Sequence, residues 1–525
     1  MNTNEHQLER RLFVKAWEIE EIRRAVKGKW LMRGTGEETP VWAGSGVISG
    51  GTGRRFNGRV CTDSRKAREG EMFIAIEGPK HDAHTYVKDV IERGVAVVLV
   101  HKTLAPEVLM RAQTKDVAVL LVDDTVKALN RLAAAYRRVG GGGMRAKVIA
   151  VGGSNGKTTT KRIIHALLAE RFGPTGGHAS PKSFNNNIGM PLTLLEVASS
   201  HDYVVLEIGT NAPGEIAALG EVCRPDVAVI TSVGLEHLEK LGDLEGVARE
   251  EASIAPFVAE GGTLVLPADA PELLSAVKAA RAQRILVGHA EAGTTKSADL
   301  LLTDVKESID GTTFSINGRG TFKMPLLGEH NAMNALMAIG VAKRLGVTDE
   351  QISAGLLKVT AAEMRLEPTT IGSWSIINDC YNANPSSMEA ALKTFARLTG
   401  GKGGKGKGGR RVVILGDMLE LGPSSEAMHR SIGAMVAAWE FDLFLAIGPA
   451  MRFAADVAEA AGVAVRRFPD TAAARAGLMK EIKAGDRLLL KGSRGMALET
   501  LLTTLKEAAT GGTGVPAQPK ELMCL

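Results

Sequence analysis

Residues 152–160 read Gly-Gly-Ser-Asn-Gly-Lys-Thr-Thr-Thr, small flexible residues leading into a lysine and three hydroxyls. That order suits a polyphosphate. Gly153, Ser154, Asn155 and Gly156 can close their backbone N–H groups around phosphate oxygens, and a following helix adds its positive end. Lys157 supplies a point charge to the β- and γ-phosphates, the Thr158 hydroxyl can ligate Mg²⁺, and Thr159 extends the donor set. The longer form of this loop wants glycine at position 151, where the chain has Val151; the shorter Gly-x-x-Gly-Lys-Thr-Thr fits. A glycine turn unrelated to nucleotide is the competing reading. The apolar strand Val148–Val151 directly before the loop and the helical pattern over 159–172 directly after it favour nucleotide, with ATP and Mg²⁺ as the expected ligands.

A carboxylate stands at the end of the next apolar run, Glu207 in Val-Val-Leu-Glu-Ile-Gly-Thr-Asn. Strand ends in an open parallel sheet face the ligand crevice, so Glu207 is placed to hold Mg²⁺ beside Thr158. A glutamate inside an apolar strand has no comfortable bland alternative. His237 follows the third strand at the same edge; taken alone, a loop histidine is unremarkable.

These residues need a parallel sheet to gather them. Apolar runs without polar alternation, spaced by helical stretches, predict an α/β fold in three domains. Residues 1–145 form a small N-terminal α/β domain with strands over 72–76, 95–100 and 117–122, closing in a helix over 126–139 and the hinge Gly140–Gly143. Residues 146–362 form the central mononucleotide-binding parallel sheet, with further strands over 204–208, 227–233, 263–266 and 285–287. Residues 363–525 form a Rossmann-like sheet (412–415, 443–447, 488–490) with a disordered tail from Gly511. At 525 residues several cores are expected.

Apolar residues at 45% and charged residues at 23% describe a soluble globular chain. No run of about 18 apolar residues suggests a membrane span, and the charged N-terminus lacks a secretory h-region. Four scattered cysteines, Cys61, Cys223, Cys380 and Cys524, suggest reduced thiols in the cytoplasm. Net charge is +5, part of it in the glycine–lysine run over 400–411, read as a solvated loop. With aromatics at 4%, nucleic acid is not the expected partner.

Other segments narrow the chemistry. Asp379-Cys380-Tyr381-Asn382-Ala383-Asn384-Pro385 resembles the DSYNANP signature of the MurF family within the Mur ligase superfamily, and Leu415–Gly422 is similar to that family's LGDMxELG. Cys61–Lys66 with Asp82-Ala83-His84, Asn185–Pro191, Gly328–Asn331 and Lys491–Arg494 complete the series, in order, over about 55–505. The resemblance implies an ATP-dependent ligase that phosphorylates the carboxylate of UDP-MurNAc-tripeptide to an acyl phosphate and joins it to D-Ala-D-Ala.

It also implies roles. Lys157, Glu207, His237 and Arg365 are the catalytic set. His237 would hold a second Mg²⁺, and Arg365 would reach the γ-phosphate. Asn331 would contact adenine, with His330 and Asn334 beside it, and Asp379 the ribose. Glu251 stands where many members carry a carbamylated lysine, and is expected to take that metal-side role. Met364 replaces a usual glycine and Cys380 a serine. Ser64 and Arg65 would meet the uridine end, and Asn185, Asn186 and Asn187 the muramoyl-peptide. Asn382 and Asn384, with Lys491, Ser493 and Arg494, would meet the dipeptide. The chain is expected to act as a monomer.

Rival readings are a sister ligase adding one amino acid, a folylpolyglutamate-synthetase-like enzyme, and a plain NTPase. Tyr381–Pro385 argues against the first two; the third would release phosphate with ATP alone.

Overall fold

The computed structural model describes residues 19–31, 56–138, 144–290, 298–401 and 409–510. The glycine hinge, most of the glycine–lysine run, Cys524 and the expected tail lie outside them. Three sheets organise the chain.

The first sheet runs in the order Lys29–Trp30, Ala118–Leu121, Val97–Val100, Met72–Ile74, Val60–Cys61. Its first pair is antiparallel and the rest parallel. The helix Thr125–Arg138 buries one face against this sheet's core, and that core continues into the central body through Met190, Leu194 and Leu219. Tyr136 donates its hydroxyl to Val197 O at 2.5 Å, and Arg137 meets Asp226 at 2.9 Å. The helix that closes the first segment is therefore packed as firmly onto the second.

The central sheet has nine strands, in the order Arg319–Met324, Gly311–Ile316, Leu300–Ser308, Gln283–His289, Thr263–Pro267, Val227–Ile230, Lys147–Gly152, Tyr203–Glu207, Gly177–Ala179. The seven from Leu300–Ser308 to Gly177–Ala179 are parallel, and an antiparallel ribbon completes the sheet. The ribbon was not anticipated, because its outer strands, GTTFSI and RGTFKM, contain no unbroken apolar run of the kind that marks the buried parallel strands. The third sheet runs Glu367–Ile371, Trp374–Asp379, Arg487–Lys491, Arg411–Gly416, Leu443–Ile447, Val465–Phe468, parallel except for its first pair.

The helix after the phosphate loop spans Lys157–Phe172, two residues earlier than its apolar pattern suggests. It buries Ile163, Ile164, Leu167 and Leu168 completely, each contributing about 1.5–3 kcal/mol. Gly173, at φ 83°, ends it. Against it packs the helix Glu329–Arg344, whose buried face carries Ala335, Ile339 and Ala342.

Candidate active site

Register decides where the chemistry sits. Val151 pairs with Glu207 and Gly152 with Ile230, so three strands end together and release the phosphate loop, Glu207 and the turn 231–237 side by side. The third strand stops at Ile230, short of the expected Val233, because Thr231 and Ser232 turn to bond the loop. Thr231 Oγ1 shares its one proton between Gly152 O (2.9 Å) and Asn155 O (2.5 Å), and Ser232 Oγ accepts from Asn155 N at 2.9 Å. Neither residue was singled out from sequence; their signal is a pair of hydroxyls immediately after a buried strand. Gly153 and Gly156 take φ 109° and 85°, the left-handed region glycine enters freely. Lys157 Nζ arches over the loop to Gly153 O (2.5 Å) and Ser154 O (3.2 Å).

Glu207 is buried, with Oε2 at 2.9 Å from Lys161 Nζ and Oε1 accepting from Asn185 Nδ2 at 3.3 Å. Lys161 also donates to Lys182 O. Burial pulls the Lys161 ammonium below its usual range, and the facing Glu207 carboxylate opposes that shift. Thr158 Oγ1 lies 3.5 Å from Ser183 Oγ, just behind the wall. His237, at φ 50°, sets Nδ1 at 2.6 Å from Glu420 Oε2.

Strand ends of the third sheet face this edge across a cavity of about 620 Å³ that Lys157, Glu207, His237, Asn331, Arg365 and Asp379 all line. Asp379 pairs in register with Lys491, and its Oδ2 accepts from Lys491 Nζ at 2.6 Å. Its Oδ1 accepts from Leu366 N at 3.1 Å. The Arg365 guanidinium lies 4.2 Å from the Tyr381 ring centroid, a cation–π contact that holds it at the wall.

Residues 151–342 match the Mur ligase middle domain, and residues 364–494 the Mur ligase glutamate ligase domain. A Bacillus subtilis (strain 168) protein named UDP-N-acetylmuramoyl-tripeptide--D-alanyl-D-alanine ligase is 37% identical over 86% of this chain and 93% of its own. The chain belongs to the MurF family of Mur ligases. An Acinetobacter baumannii MurF crystal structure superposes with TM-score 0.78 at 29% identity, over 94% of this chain and 99% of that one. The fold likewise matches Thermotoga maritima MurF in complex with ADP, at TM-score 0.72 and 23% identity over 86% of this chain and 98% of that one.

At three positions the resemblance led to the expectation of another residue. Met364 adopts φ 57°, where glycine would sit without strain, and a side chain there costs about 1–2 kcal/mol. Cys380 is buried, so its thiol packs as a small apolar group. Glu251 lies behind the phosphate loop and not in the cavity wall. Its Oε2 accepts from Gly153 N at 2.7 Å, while its buried Oε1 has no hydrogen-bond partner. Burial pushes this carboxyl up to about 7, and the nearby Lys157 charge opposes the shift.

The remaining residues divide by position. Asn331 donates to Leu327 O at 2.7 Å and accepts from Asn334 at 3.0 Å; desolvation at this end of the cavity brings His330 down to about 4. Asn185, Asn186, Asn382, Asn384 and Lys491 line the cavity. Asn186 Oδ1 also accepts from Gly189 N at 2.9 Å, and Asn187 O accepts from Asn130 at 2.7 Å. Ser493 and Arg494 lie outside the wall. Ser493 Oγ joins Leu419 N (2.9 Å) to Ala383 O (3.3 Å), and Arg494 pairs with Glu499 at 2.9 Å. Ser64 and Arg65 stand apart, in the turn after the first-sheet strand Val60–Cys61, where Arg65 meets Asp63 at 2.9 Å.

The donor set suits Mg²⁺. Among the described residues no three His, Cys, Asp or Glu side chains form a cage. Mg²⁺ is ordinarily held by one or two protein oxygens plus phosphates and water. Thr158 and Glu207 offer such oxygens and His237 a nitrogen at the same edge, while the unpartnered Glu251 Oε1 lies behind the phosphate loop.

Proposed function

We infer that this cavity carries out the ligation characteristic of the MurF family. The chain is an ATP-dependent ligase joining D-Ala-D-Ala to UDP-MurNAc-tripeptide through an acyl phosphate, with UDP-MurNAc-pentapeptide, ADP and phosphate as products. One observation supports this most: Arg365 and Asp379 from the third sheet line the same cavity as Lys157 and Glu207 from the central one. A nucleotide switch needs no such convergence. Joining two anions does, since the site must neutralise charge and hold the reactants in line.

In this reading Gly153–Thr159 cradle the triphosphate, with Lys157 and Arg365 bracketing the transferred phosphoryl group. Asp379 and Asn331 hold the ribose and the base. Thr158, Glu207 and His237, with Glu251 behind the loop, would hold Mg²⁺, which when bound would neutralise charge at the phosphates. Asn185 and Asn186 orient the muramoyl-peptide, and Ser64 and Arg65 the uridine end. Asn382, Asn384 and Lys491 face the incoming dipeptide, with Ser493 and Arg494 supporting that wall.

We place the domain limits at 1–145, 146–362 and 363–525. The enzyme works as a cytoplasmic monomer without nucleic acid; no helix of the described residues is long and apolar enough to cross a membrane. The test is phosphate release by the purified chain with ATP and Mg²⁺. Release that needs both D-Ala-D-Ala and the UDP-linked tripeptide, offered with diaminopimelate or lysine at its end, is the expected result. Release with ATP alone would favour a plain NTPase.

A further inference from the structure

The phosphate loop is tied directly to the third sheet's domain. Asn155 Oδ1 accepts from Asn384 Nδ2 at 2.9 Å, and Asn155 Nδ2 donates to Ser386 Oγ at 2.9 Å. Ser386 Oγ in turn donates to Asn384 Oδ1 at 3.2 Å, closing a ring of three side chains. Both ends of the Asn155 amide are thus engaged by residues more than 220 positions away. The approach is close: a Cβ at Gly234 would stand 3.2 Å from Ser386 Oγ.

Asn384 is also the N-cap of the helix Pro385–Leu398, its Oδ1 accepting from Ser387 N at 2.9 Å. The far end of the same helix is held as well. Arg397 reaches Glu307 Oε1 (3.0 Å) and Glu329 Oε2 (2.5 Å), and Lys393 lies 3.3 Å from Glu329. Glu329 begins the helix that presents His330 and Asn331 to the cavity. One helix therefore spans the cavity, fastened to the phosphate loop at its start and to the adenine-side helix at its end.

We propose that Asn384 and Ser386 are positioning residues for the phosphate loop, so that docking of this helix and triphosphate binding are coupled. The Asn155 peptide is anchored on its own side by Thr231 and Ser232. Among the described residues its side chain hydrogen-bonds only across the interface. Triphosphate entering a docked cavity meets a loop already in shape; entering an undocked one, it must order the loop itself. By reciprocity, nucleotide then favours docking by the same factor. The proposal deepens the ligase reading, since closure that waits for ATP keeps the acyl phosphate from water.

Asn384→Asp separates this role from helix capping. Aspartate caps as well as asparagine but has no N–H to give Asn155 Oδ1. Ser386→Ala is the second variant, and Asn155→Ala completes a double-mutant cycle. The full chain is titrated calorimetrically with the β,γ-imido analogue of ATP and Mg²⁺, without either ligase substrate, and its radius of gyration is followed by X-ray scattering.

Each single change should weaken nucleotide binding about five- to twentyfold, as loss of one or two hydrogen bonds implies. Nucleotide-driven compaction should fall, and the Asn155→Ala/Ser386→Ala pair should be no worse than its worse member. In the ligase assay of Ser386→Ala, KM for ATP should rise while KM for D-Ala-D-Ala holds. Binding within twofold of the parent in Asn384→Asp and Ser386→Ala, or effects that simply multiply, would overturn the coupling. A raised KM for the dipeptide alone in Ser386→Ala would overturn it too. Because binding is read without ligase substrates, its outcome is independent of whether the ligation itself is observed.

Discussion

Lys161 Nζ lies 2.9 Å from Glu207 Oε2, and both side chains are all but sealed from water, at 4% and 1% exposure. Removing one partner of a buried pair strands the other charge, at a cost of about 3–5 kcal/mol. Lys161→Ala should therefore destabilise the chain by about that amount in urea unfolding. Lys161→Met combined with Glu207→Leu should be less damaging than either single change, while abolishing ligation. A Lys161→Ala variant as stable as the parent would contradict the pairing.

Lys157 is different. Its partners among the described residues are two loop carbonyls and Glu236 at 4.0 Å, so little of the fold depends on it. Lys157→Met should lower kcat/KM about a thousandfold, the scale of losing a charged transition-state contact. Its unfolding midpoint should stay close to the parent's. Retained turnover would remove Lys157 from the chemistry.

Glu251 should leave a mark on stability versus pH. Its folded pKa, raised to about 7, exceeds an unfolded value near 4.5, so the folded state keeps a proton that the unfolded state has lost. Stability therefore falls as pH rises from about 4.5 to about 7 and levels off above, by on the order of 3 kcal/mol in total. Comparing wild type with Glu251→Gln by denaturant unfolding from pH 5 to 8 should show that fall in wild type only. Parallel curves would mean that Glu251 does not titrate in this range.

His237 should show itself in the metal requirement. Its Nδ1 is engaged by Glu420 at 2.6 Å, which orients the ring and leaves Nε2 as the free lone pair. His237→Ala should raise the Mg²⁺ concentration for half-maximal activity about tenfold, and Glu420→Gln should do so less. An unchanged Mg²⁺ titration in His237→Ala would exclude it as a ligand.

Much of the catalytic edge was legible. The phosphate loop announces itself because glycine, lysine and hydroxyls act through local backbone geometry, and the strand before it is an unbroken apolar run. The strand Gly177–Ala179 was not legible: Gly-His-Ala has little preference for extended structure and is a strand only because Tyr203–Val205 pairs with it. Lys161 carries no signal of its own in the helix sequence. Its burial follows from Glu207 arriving beside it, 46 residues on.

The sequence alone determined the α/β class, the glycine–lysine–threonine loop after a buried strand, and the places of Glu207 at the end of one strand and His237 beyond another of the same sheet. Those features depend on periodicity and backbone chemistry within a few residues. Only the tertiary structure decided which polar groups satisfy one another: Glu251 with Gly153, Asp379 with Lys491, Asn155 with Asn384, joined across 98, 112 and 229 residues. A buried polar group must find a partner, but which one depends on the path of the whole chain, and no local pattern encodes that path.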